Sequence, residues 1–315
     1  MKPIQRLDEL VGREPISPGH SACAGCGAMI AVRQILLAAP QPLIVVNATG
    51  CVEVVTTQIP YTAWNTPYIH VAFENAAAVA SGIEAALDVL ESKGLGRRHN
   101  IVVLAGDGGT ADIGLQALSG AFERRHRFLY VCYDNEAYMN TGIQRSSLTP
   151  LGAWSRTTPK GKLEEKKDLV AIATAHNIPY AATATIFFWK DLVNKVRRAF
   201  TFNGPSFIHV YAPCNRGWYF DPAETVKLSK LAVETRYFPL FEVIEGVYKI
   251  NYFVAKPRPL EDFLRLQGRF QQLLKPENQH ILETLKEHVN RRWERLTYLA
   301  QHSQKLAQPT VSLQP

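Results

Sequence analysis

The sequence lacks any long run of apolar residues, because its hydrophobic segments are short and broken by charged residues, Gly or Pro. A membrane-spanning helix needs about 20 consecutive apolar residues, so none is predicted. The start of the chain, MKPIQRLDEL, also lacks the apolar core of a secretory signal peptide. We therefore expect a cytoplasmic protein with no membrane partner.

Motifs for nucleic-acid binding are absent as well. The chain has 35 Lys and Arg residues against 28 Asp and Glu residues, a formal net charge of +7, but these charges are dispersed. No helix-turn-helix, zinc-finger or aromatic-platform pattern accompanies them. The excess charge is typical of a solvated surface and is compatible with an acidic partner protein or a phosphorylated cofactor, whereas nucleic acid is not expected as a partner.

Cysteine is scarce, with five residues in a chain of 315. In a reducing compartment, a small and odd number of cysteines favours free thiols, metal ligands or catalysis over disulfides. Cys23 and Cys26 form a C-x-x-C pair in GHSACAGCGAMIAV, residues 19–32. This pair alone is compatible with a zinc site, a redox dithiol or half of an iron–sulfur site.

The spacing of the other cysteines bears on these three possibilities. Zinc ribbons and knuckles usually have a second close pair of ligands, whereas Cys51 and Cys214 lie singly, 25 and 188 residues after Cys26. A thioredoxin-type dithiol does not need them. One C-x-x-C pair with two distant cysteines is compatible with an iron–sulfur cluster, whose four thiolates come from wherever the fold supplies them.

Strand-like and helix-like segments alternate along the chain. The strand-like segments are PLIVVNATG, NIVVLAGDGG, RFLYVCYDN and PSFIHVYAPC, and the helix-like segments are ENAAAVASGIEAALDVLESKG, DIGLQALSGAFERR, KDLVAIATAHN and WKDLVNKVRRAF. This alternation predicts an α/β fold with a doubly wound, mostly parallel sheet covered on both faces. Ligands of such sheets lie at the carboxyl ends of the strands, where Cys51, Asp107, Asn135 and Cys214 fall.

The pattern changes after about residue 250. The following segment is charged, with Ile281, Leu285, Val289, Leu296 and Ala300 at helical spacing. We predict a domain at residues 1–250 and a helical C-terminal arm at residues 251–315. The arm either packs on the domain or binds a partner subunit.

Two strand ends carry residues suited to a magnesium diphosphate. Asp107 lies in GDGG, and Asn135 follows the next strand, 28 residues later. A carboxylate, an amide oxygen, a backbone carbonyl and two phosphate oxygens form the oxygen shell that Mg²⁺ prefers. Gly106, Gly108 and Gly109 would allow backbone N–H groups to approach the diphosphate. A GDGG sequence alone is weak evidence for a magnesium diphosphate site, but an Asn 28 residues after its Asp makes that evidence stronger.

These motifs resemble those of thiamine diphosphate enzymes. Together, YDNEAYMNTGIQRS and CAGCG narrow the resemblance to the β subunits of 2-oxoacid:ferredoxin oxidoreductases, and most closely to the pyruvate:ferredoxin oxidoreductase branch, which includes oxalate oxidoreductase. The resemblance runs from about Gly19 to Tyr219, roughly two thirds of the chain.

The resemblance implies three cofactors in the domain at residues 1–250: thiamine diphosphate, Mg²⁺ and one 4Fe-4S cluster. Mg²⁺ would bind Asp107, Asn135 and the carbonyl of Ala137, and Asn140 would be a catalytic residue facing the substrate carboxylate. The cluster would bind Cys23, Cys26, Cys51 and Cys214. The residues expected around the cofactor are Ala28, Cys51, Gly106, Asp107, Gly108, Gly109, Asn135, Glu136, Ala137, Tyr138, Met139 and Asn140.

Cys132 is left over by this assignment. It lies inside an apolar strand-like segment, where a free Cys usually behaves as a small buried hydrophobic residue. We expect no ligand role for it.

The implied reaction is the oxidative decarboxylation of a small 2-oxoacid. Pyruvate would give acetyl-CoA and CO2, with one-electron transfer through the 4Fe-4S cluster to ferredoxin. The alternative within the branch is oxalate, which gives two CO2 and needs no coenzyme A. In this family an α subunit supplies the glutamate that activates the aminopyrimidine, and γ- and δ-type subunits or domains carry further Fe–S clusters. The chain alone is therefore expected to be inactive.

Two departures from the family pattern lie near the cysteines. Asn215 follows Cys214 where Pro is common, and Ser21 stands where a basic residue is common. Neither decides between pyruvate and oxalate.

Two other classes of function are weighed against this one. A non-catalytic scaffold would bind zinc through the C-x-x-C pair and no thiamine. A carboligase-type thiamine enzyme would leave Cys51 and Cys214 without a role.

Overall fold

The computed structural model describes residues 3–10, 12 and 14–306. In these residues, the strands are β1 (Leu43–Ala48), β2 (Tyr68–Val71), β3 (Asn100–Gly106), β4 (Leu129–Asp134), β5 (Tyr180–Thr185), β6 (Ser206–Tyr211), β7 (Phe241–Ile244) and β8 (Val247–Ile250). They form one sheet in the order β2-β1-β3-β4-β6-β5-β7-β8. The strands β1 to β6 pair in parallel, and β7 and β8 pair antiparallel.

Helices cover both faces of this sheet. They are α1 (Gly27–Ala38), α2 (Cys51–Thr56), α3 (Ala76–Ser92), α4 (Leu115–Glu123), α5 (Leu169–Thr174), α6 (Trp189–Ala199), α7 (Asn215–Trp218), α8 (Thr225–Glu234), α9 (Leu260–Leu264) and α10 (Gln279–Leu306). One face packs on α1, α2 and α6, and the other on α3, α4 and α5. The predicted doubly wound, mostly parallel α/β fold is confirmed.

The strands that the sequence pattern did not reveal have weaker signals. The short strand β2 is only partly buried, and β5 has the sequence YAATAT, which lacks a run of large apolar residues. The hairpin of β7 and β8 turns at Glu245 and Gly246, both with positive φ, as a tight hairpin turn requires.

The direction of winding reverses beside β1. The chain leaves β1 for β2 on one side and returns to β3 on the other, so the connections diverge between β1 and β3. Such a switch point opens a crevice at the carboxyl ends of the two strands. Cys51 follows β1 and Asp107 follows β3, which places both residues at this crevice.

The chain after β8 packs on a third apolar cluster beside the sheet. The buried face of α10 includes Leu282, Leu285, Val289, Trp293 and Leu296. Ile281 and Ala300, also expected on this face, are only partly buried. The five buried residues centre the face near Val289, and Ile281 lies at its edge, whereas Ala300 is in line with the face, one to two turns before the end of the helix. The arm therefore packs on its own chain, and the domain boundary at residue 250 and partner binding stay predictions. Within the described part of the chain, no helix has the length and apolar character needed to cross a membrane.

Candidate functional site

Three oxygen ligands predicted for Mg²⁺ converge at the carboxyl ends of β3 and β4. The Asn135 side-chain amide lies 3.1 Å from Asp107 Oδ1 and 2.8 Å from the carbonyl oxygen of Ala137. If the oxygen of the Asn135 amide faces Asp107 and Ala137, three hydrogen-bond acceptors meet, and a cation is needed between them. If the amide nitrogen faces them instead, it donates hydrogen bonds to Asp107 Oδ1 and to the Ala137 carbonyl. An octahedral Mg²⁺ with bonds of about 2.0–2.1 Å has adjacent ligands about 2.9 Å apart, so both distances from the Asn135 amide suit adjacent ligands of this ion. Asp107, Asn135 and the carbonyl of Ala137 are here called the oxygen site.

Asp107 of the oxygen site is buried and lacks a cationic partner among the side chains that bond to it. Its Oδ2 accepts a hydrogen bond from Ser146 Oγ. Burial and the nearby carboxylate of Asp134 raise the pKa of Asp107 well above its ordinary value. A cation at the oxygen site would reverse this effect, because it would favour the ionised carboxylate.

The chain after Asp107 continues into a π-helical turn, Gly108–Asp112, of the kind often found at functional sites. A Cβ atom on Gly108 would lie 2.3 Å from the ring of Tyr138, so only glycine admits that ring. The Tyr138 hydroxyl in turn donates to Asp112 Oδ2 at 2.9 Å. A Cβ atom on Gly106 or Gly109 would also meet an aromatic ring, at 3.3 Å in both cases. These contacts explain the glycines by packing, and their approach to a diphosphate stays a prediction.

A buried network of charged and hydroxyl groups holds the loop that carries Asn135 and Ala137. Between these two residues, Glu136 has φ 63°, a left-handed conformation that a non-glycine residue adopts only when its surroundings impose it. Its carboxylate accepts from Lys166 Nζ and Arg269 Nη2. The full set, here called the buried network, is Asp134, Glu136, Lys166, His209, Tyr211, Tyr237 and Arg269.

The charges of the buried network compensate one another. Burial opposes the ionisation of Asp134, but Lys166 and His209 outweigh it and lower the pKa of Asp134 to about 2. Burial likewise opposes the charge on Lys166, but Asp134 and Glu136 raise its pKa above the ordinary value. Because the side chain of Glu136 is held inside this network, only its backbone remains to face a cofactor.

Three of the predicted cluster cysteines lie at the starts of helices. Cys26 directly precedes α1, Cys51 is the first residue of α2, and Cys214 directly precedes α7. The positive end of a helix dipole stabilises thiolates and other anions. Cys23 is exposed, and all five cysteines are free.

Backbone contacts bring the cysteine-bearing segments together. A Cβ atom on Gly27 would lie 2.5 Å from the carbonyl oxygen of Pro213, so the start of α1 lies against the segment before Cys214. The side-chain amide of Asn215 donates to the carbonyl of Ala24 at 3.0 Å. The N–H of Ser21 donates to the carbonyl of Val55, in α2, at 3.0 Å. The two departures from the family pattern, Ser21 and Asn215, thus both tie cysteine segments to each other.

The cysteines also influence one another electrostatically. Burial raises the pKa of Cys51 to about 12, with further contributions from Cys214, Cys26, Asp107 and Cys23. Burial raises the pKa of Cys214 to about 11, and Cys26 and Cys23 add to this. Cys51 is therefore influenced both by the other cysteines and by Asp107 of the oxygen site. A bound iron would lower these pKa values by binding the thiolates.

The cysteines can be compared with the ligand arrangements of a single metal ion and of a cluster. In the described residues, no three or more His, Cys, Asp or Glu side chains are grouped closely enough to hold one. Zinc bound at about 2.3 Å brings its sulfur ligands within about 4 Å of one another. In a 4Fe-4S cluster each thiolate binds a different iron, so the sulfurs lie farther apart.

Hydrogen-bond donors face two of the sulfurs. The N–H of Gly217 donates to Cys214 Sγ at 3.4 Å. Burial raises the pKa of Cys26, and the N–H groups of Met29 and Ala28 act against this. Donors to sulfur are a usual feature around iron–sulfur clusters. Ala28, expected near the cofactor, thus lies at the sulfur of Cys26.

The remaining predicted residues lie on the loop after Ala137. Met139 packs on Gly217, where a Cβ atom would lie 2.1 Å from its sulfur, and therefore beside Cys214. Asn140 is exposed at the tip of a loop closed by a hydrogen bond from Tyr138 N to the carbonyl of Gln144 at 2.9 Å. Its catalytic role stays a prediction.

Cys132 is fully buried on β4, as expected for a small hydrophobic residue. Its side chain lies in the apolar cluster on the α3, α4 and α5 face of the sheet, whereas Cys26 and Val52, next to Cys51, pack in the cluster on the opposite face.

Several site residues were not found from the sequence. Trp218 Nε1 donates to the carbonyl of Asn135 at 2.7 Å, and the Arg269 guanidinium lies 3.8 Å from the centroid of the Trp218 ring. Arg269 is 133 residues from Glu136 in the chain, so no local pattern links them. Asp134 and Ser146 lie within the YDNEAYMNTGIQRS segment, residues 133–146, and Lys166 follows it by 20 residues, so a search along the chain could have found these three.

The sequence matches a known family and several characterised proteins. The family model described as the thiamine pyrophosphate enzyme C-terminal TPP binding domain matches residues 48–210. Pyruvate synthase subunit PorB of Methanothermobacter thermautotrophicus is 51% identical over 276 residues, covering 86% of this chain and 94% of that protein. The PorB subunit of Thermotoga maritima is 48% identical over 297 residues, covering 90% and 91%.

A relative named for another substrate is equally similar. Ketoisovalerate oxidoreductase subunit VorB of Pyrococcus abyssi is 48% identical over 306 residues, covering 95% of this chain and 97% of that protein. Among solved structures, 2-oxoglutarate:ferredoxin oxidoreductase from Magnetococcus marinus matches with a TM-score of 0.56 and 19% identity, covering 69% of this chain and 79% of that chain. At that identity the structure supports the fold alone.

Proposed function

The chain belongs to the β subunits of the thiamine diphosphate-dependent 2-oxoacid:ferredoxin oxidoreductases, and on this premise we propose that it binds magnesium thiamine diphosphate beside a 4Fe-4S cluster and that its complex oxidises pyruvate. The resemblance inferred from the motifs is thereby confirmed for the family. The chain is a subunit of an oxidoreductase, and the substrate, the metal ion and the cluster belong to the proposal.

The oxygen site supports the proposal for Mg²⁺. Asp107 would supply a carboxylate, Asn135 an amide oxygen and Ala137 a carbonyl, and the Asn135 amide lies from the other two at distances that suit adjacent ligands of an octahedral ion. The diphosphate would complete the shell, and the ion would compensate the buried charge of Asp107. The buried network holds the loop that carries Asn135 and Ala137, so the change needed to receive the ion is a turn of the Asn135 amide that presents its oxygen.

The four cysteines support the proposal for the cluster. The three segments that carry Cys23 and Cys26, Cys51, and Cys214 contact one another, which supports a common site for the four thiols. When bound, a 4Fe-4S cluster supplies one-electron acceptance. The chain's part is to supply four thiolates and to place them beside the oxygen site.

When bound, thiamine diphosphate supplies the carbon nucleophile and the electron sink that decarboxylation of a 2-oxoacid requires. The chain's contribution is to hold the diphosphate end, to expose Asn140 toward the substrate carboxylate, and to leave the aminopyrimidine to a partner. We propose that an α subunit supplies the activating glutamate, and that γ- and δ-type subunits or domains carry electrons onward to ferredoxin. A cytoplasmic location also stays a prediction.

Pyruvate is the substrate we propose, with coenzyme A as the acceptor that yields acetyl-CoA. Two relatives at 51% and 48% identity are named as subunits of pyruvate synthase. The relative named for ketoisovalerate, at 48%, makes that branched 2-oxoacid the second candidate. None of these names supports oxalate, so the oxalate alternative is not retained.

The observation that carries the proposal is the placement of two sites in one chain: the oxygen site lies at the ends of β3 and β4, and Cys51 follows the neighbouring strand β1. Contacts join the segment of Cys23 and Cys26 both to α2, which begins at Cys51, and to the segment of Cys214. A carboligase-type enzyme would need only the first of these two sites.

The test uses the complex purified anaerobically from its native host. Pyruvate with coenzyme A is expected to reduce ferredoxin at a higher kcat/KM than ketoisovalerate with coenzyme A. A higher kcat/KM with ketoisovalerate would make ketoisovalerate the substrate in place of pyruvate. If neither 2-oxoacid reduced ferredoxin, the proposed activity would be wrong. The purified β chain alone is expected to bind magnesium thiamine diphosphate without turnover.

A further inference from the structure

The hydroxyl of Tyr133 is buried without a hydrogen-bond partner. Tyr133 is 1% exposed, and its Oη has no partner among the described residues. A buried hydroxyl that forms no hydrogen bond destabilises the folded protein, so such groups need an explanation. An acceptor that belongs to a bound group is one explanation.

Tyr133 spans the two halves of the site. Its ring packs on Gly106, directly before Asp107, where a Cβ atom would lie 3.3 Å from the ring. Its hydroxyl lies at Gly50, directly before Cys51, where a Cβ atom would lie 2.9 Å from Oη. Glycine at both positions leaves room for the tyrosine, which points its hydroxyl at the start of α2.

Cys51 is the ionisable group that acts most strongly on this hydroxyl. Burial raises the pKa of Tyr133, and Cys51 is the first neighbour that adds to the increase. The N–H of Val52 faces the oxygen from the same helix start but lies outside hydrogen-bond geometry. An N–H cannot accept the hydroxyl proton in any case. Because Tyr133 Oη lies at Gly50, directly before Cys51, a group bound to the Cys51 thiolate is placed to supply the missing acceptor.

We propose that Tyr133 Oη donates a hydrogen bond to the sulfur at the Cys51 corner of the 4Fe-4S cluster and raises the cluster's reduction potential. This inference rests on the proposed function, because it requires the cluster to be bound by this chain. The reduced cluster carries one more negative charge than the oxidised cluster, so a donor stabilises the reduced form more. Tyr133 is thus a positioning residue for electron transfer, placed between the oxygen site and the cluster.

Tyr133→Phe removes the hydroxyl and keeps the ring that packs on Gly106. The control is Tyr130→Phe, since Tyr130 lies on the same strand, is equally buried, and points its hydroxyl at Thr110 on the opposite face. The measurement is an EPR-monitored redox titration of each purified complex, with the signal assigned to this chain by its loss in Cys51→Ala.

We expect Tyr133→Phe to lower the midpoint potential, with a threefold to tenfold change in the reduced-to-oxidised ratio at fixed potential, where tenfold corresponds to about 59 mV for one electron. Tyr130→Phe should leave the midpoint unchanged. An unchanged midpoint in Tyr133→Phe, or equal shifts in both variants, would overturn the inference. A wild-type complex without a Cys51-dependent signal would instead refute the proposed function.

Thermal unfolding of the full chain without metal gives a second readout. Since the hydroxyl of Tyr133 has no partner there, Tyr133→Phe should leave the Tm unchanged or raise it. A loss of Tm in the metal-free Tyr133→Phe chain would show that the hydroxyl has a partner in the protein, and would contradict the inference. Weaker thiamine diphosphate binding with an unchanged potential would also contradict it, because the hydroxyl would then serve the thiamine.

Discussion

The two halves of the candidate site are built differently. In the oxygen half, Asp107 and the loop from Asn135 to Ala137 are fixed by hydrogen bonds from Ser146, Trp218 and the buried network. In the sulfur half, the thiols receive few hydrogen bonds from their surroundings, and burial raises the pKa values of Cys26, Cys51 and Cys214.

This difference indicates what each half needs from its ligand. The oxygen half is fixed by the protein in advance and lacks only a cation to compensate Asp107. The sulfur half is held by backbone contacts between segments. Deprotonation of its buried thiols becomes favourable only when iron binds the thiolates. Substitutions in the oxygen half should therefore weaken the binding of Mg²⁺ and thiamine diphosphate to different extents, whereas loss of a cysteine in the sulfur half should remove the cluster.

The largest effect expected in the oxygen half follows from Asp107→Asn. The amide keeps the shape but removes the charge that attracts the cation, so we expect Mg²⁺-dependent thiamine diphosphate binding to weaken by more than about 100-fold. Iron content should not change. Calorimetric titration of the full complex measures the binding, and binding within threefold of wild type would show that Asp107 is not a ligand.

Arg269→Met tests whether the C-terminal region supports the oxygen half. Removing one partner of a buried ion pair costs about 3–5 kcal/mol, so we expect a loss of stability of this order and weaker cofactor binding. The control is Arg291→Met, since the Arg291 side chain is 66% exposed where it pairs with Glu165. That exposed pair should contribute less than about 1 kcal/mol. Equal losses in urea unfolding of the two variants would contradict the role of the buried network.

A smaller change is expected from Ser146→Ala. Without the hydrogen bond from Ser146 Oγ, Asp107 is less firmly oriented, and the Mg²⁺ affinity should fall about tenfold. Ser147→Ala is the matched control, because the Ser147 hydroxyl has no partner within the described residues. If both variants bound Mg²⁺ as wild type does, orientation by Ser146 would be unimportant.

The smallest effect expected is a pH dependence of opposite sign for two carboxylates. Asp134 has a pKa of about 2, below the unfolded value of about 3.9, so the stability it confers is present above about pH 4 and is lost as pH falls toward 2. Asp107 has a raised pKa, so in metal-free protein its ionisation costs stability as pH rises, and Mg²⁺ removes that cost.

The increase in Tm on adding Mg²⁺ should therefore be larger near pH 8 than near pH 5. Asp107→Asn should abolish this dependence. An equal Mg²⁺ effect at both pH values in the wild type would show that Asp107 does not titrate with metal binding.

The sequence allowed the parallel core of the fold and the oxygen ligands to be predicted, because strand ends carry short patterns. Asp107 and Asn135 follow two neighbouring apolar strands, and their meeting follows from that position alone. Arg269 and Trp218 could not be found in this way, since they reach Glu136 and Asn135 through tertiary packing. The predicted face of α10 is largely correct, since Leu285, Val289 and Leu296 are buried. Leu282, and not Ile281, belongs to it, because both residues are apolar and only packing distinguishes them.

The most direct test of the account counts iron, acid-labile sulfide and thiamine in the anaerobically purified complex, for wild type and for Cys214→Ser. Cys132→Ser serves as the control, since Cys132 is buried within β4. The account predicts that Cys214→Ser loses about four iron and four sulfide per β chain, the content of one 4Fe-4S cluster, and keeps its thiamine. Iron and sulfide equal to those of wild type would contradict it, because the cluster would then not be bound by these cysteines.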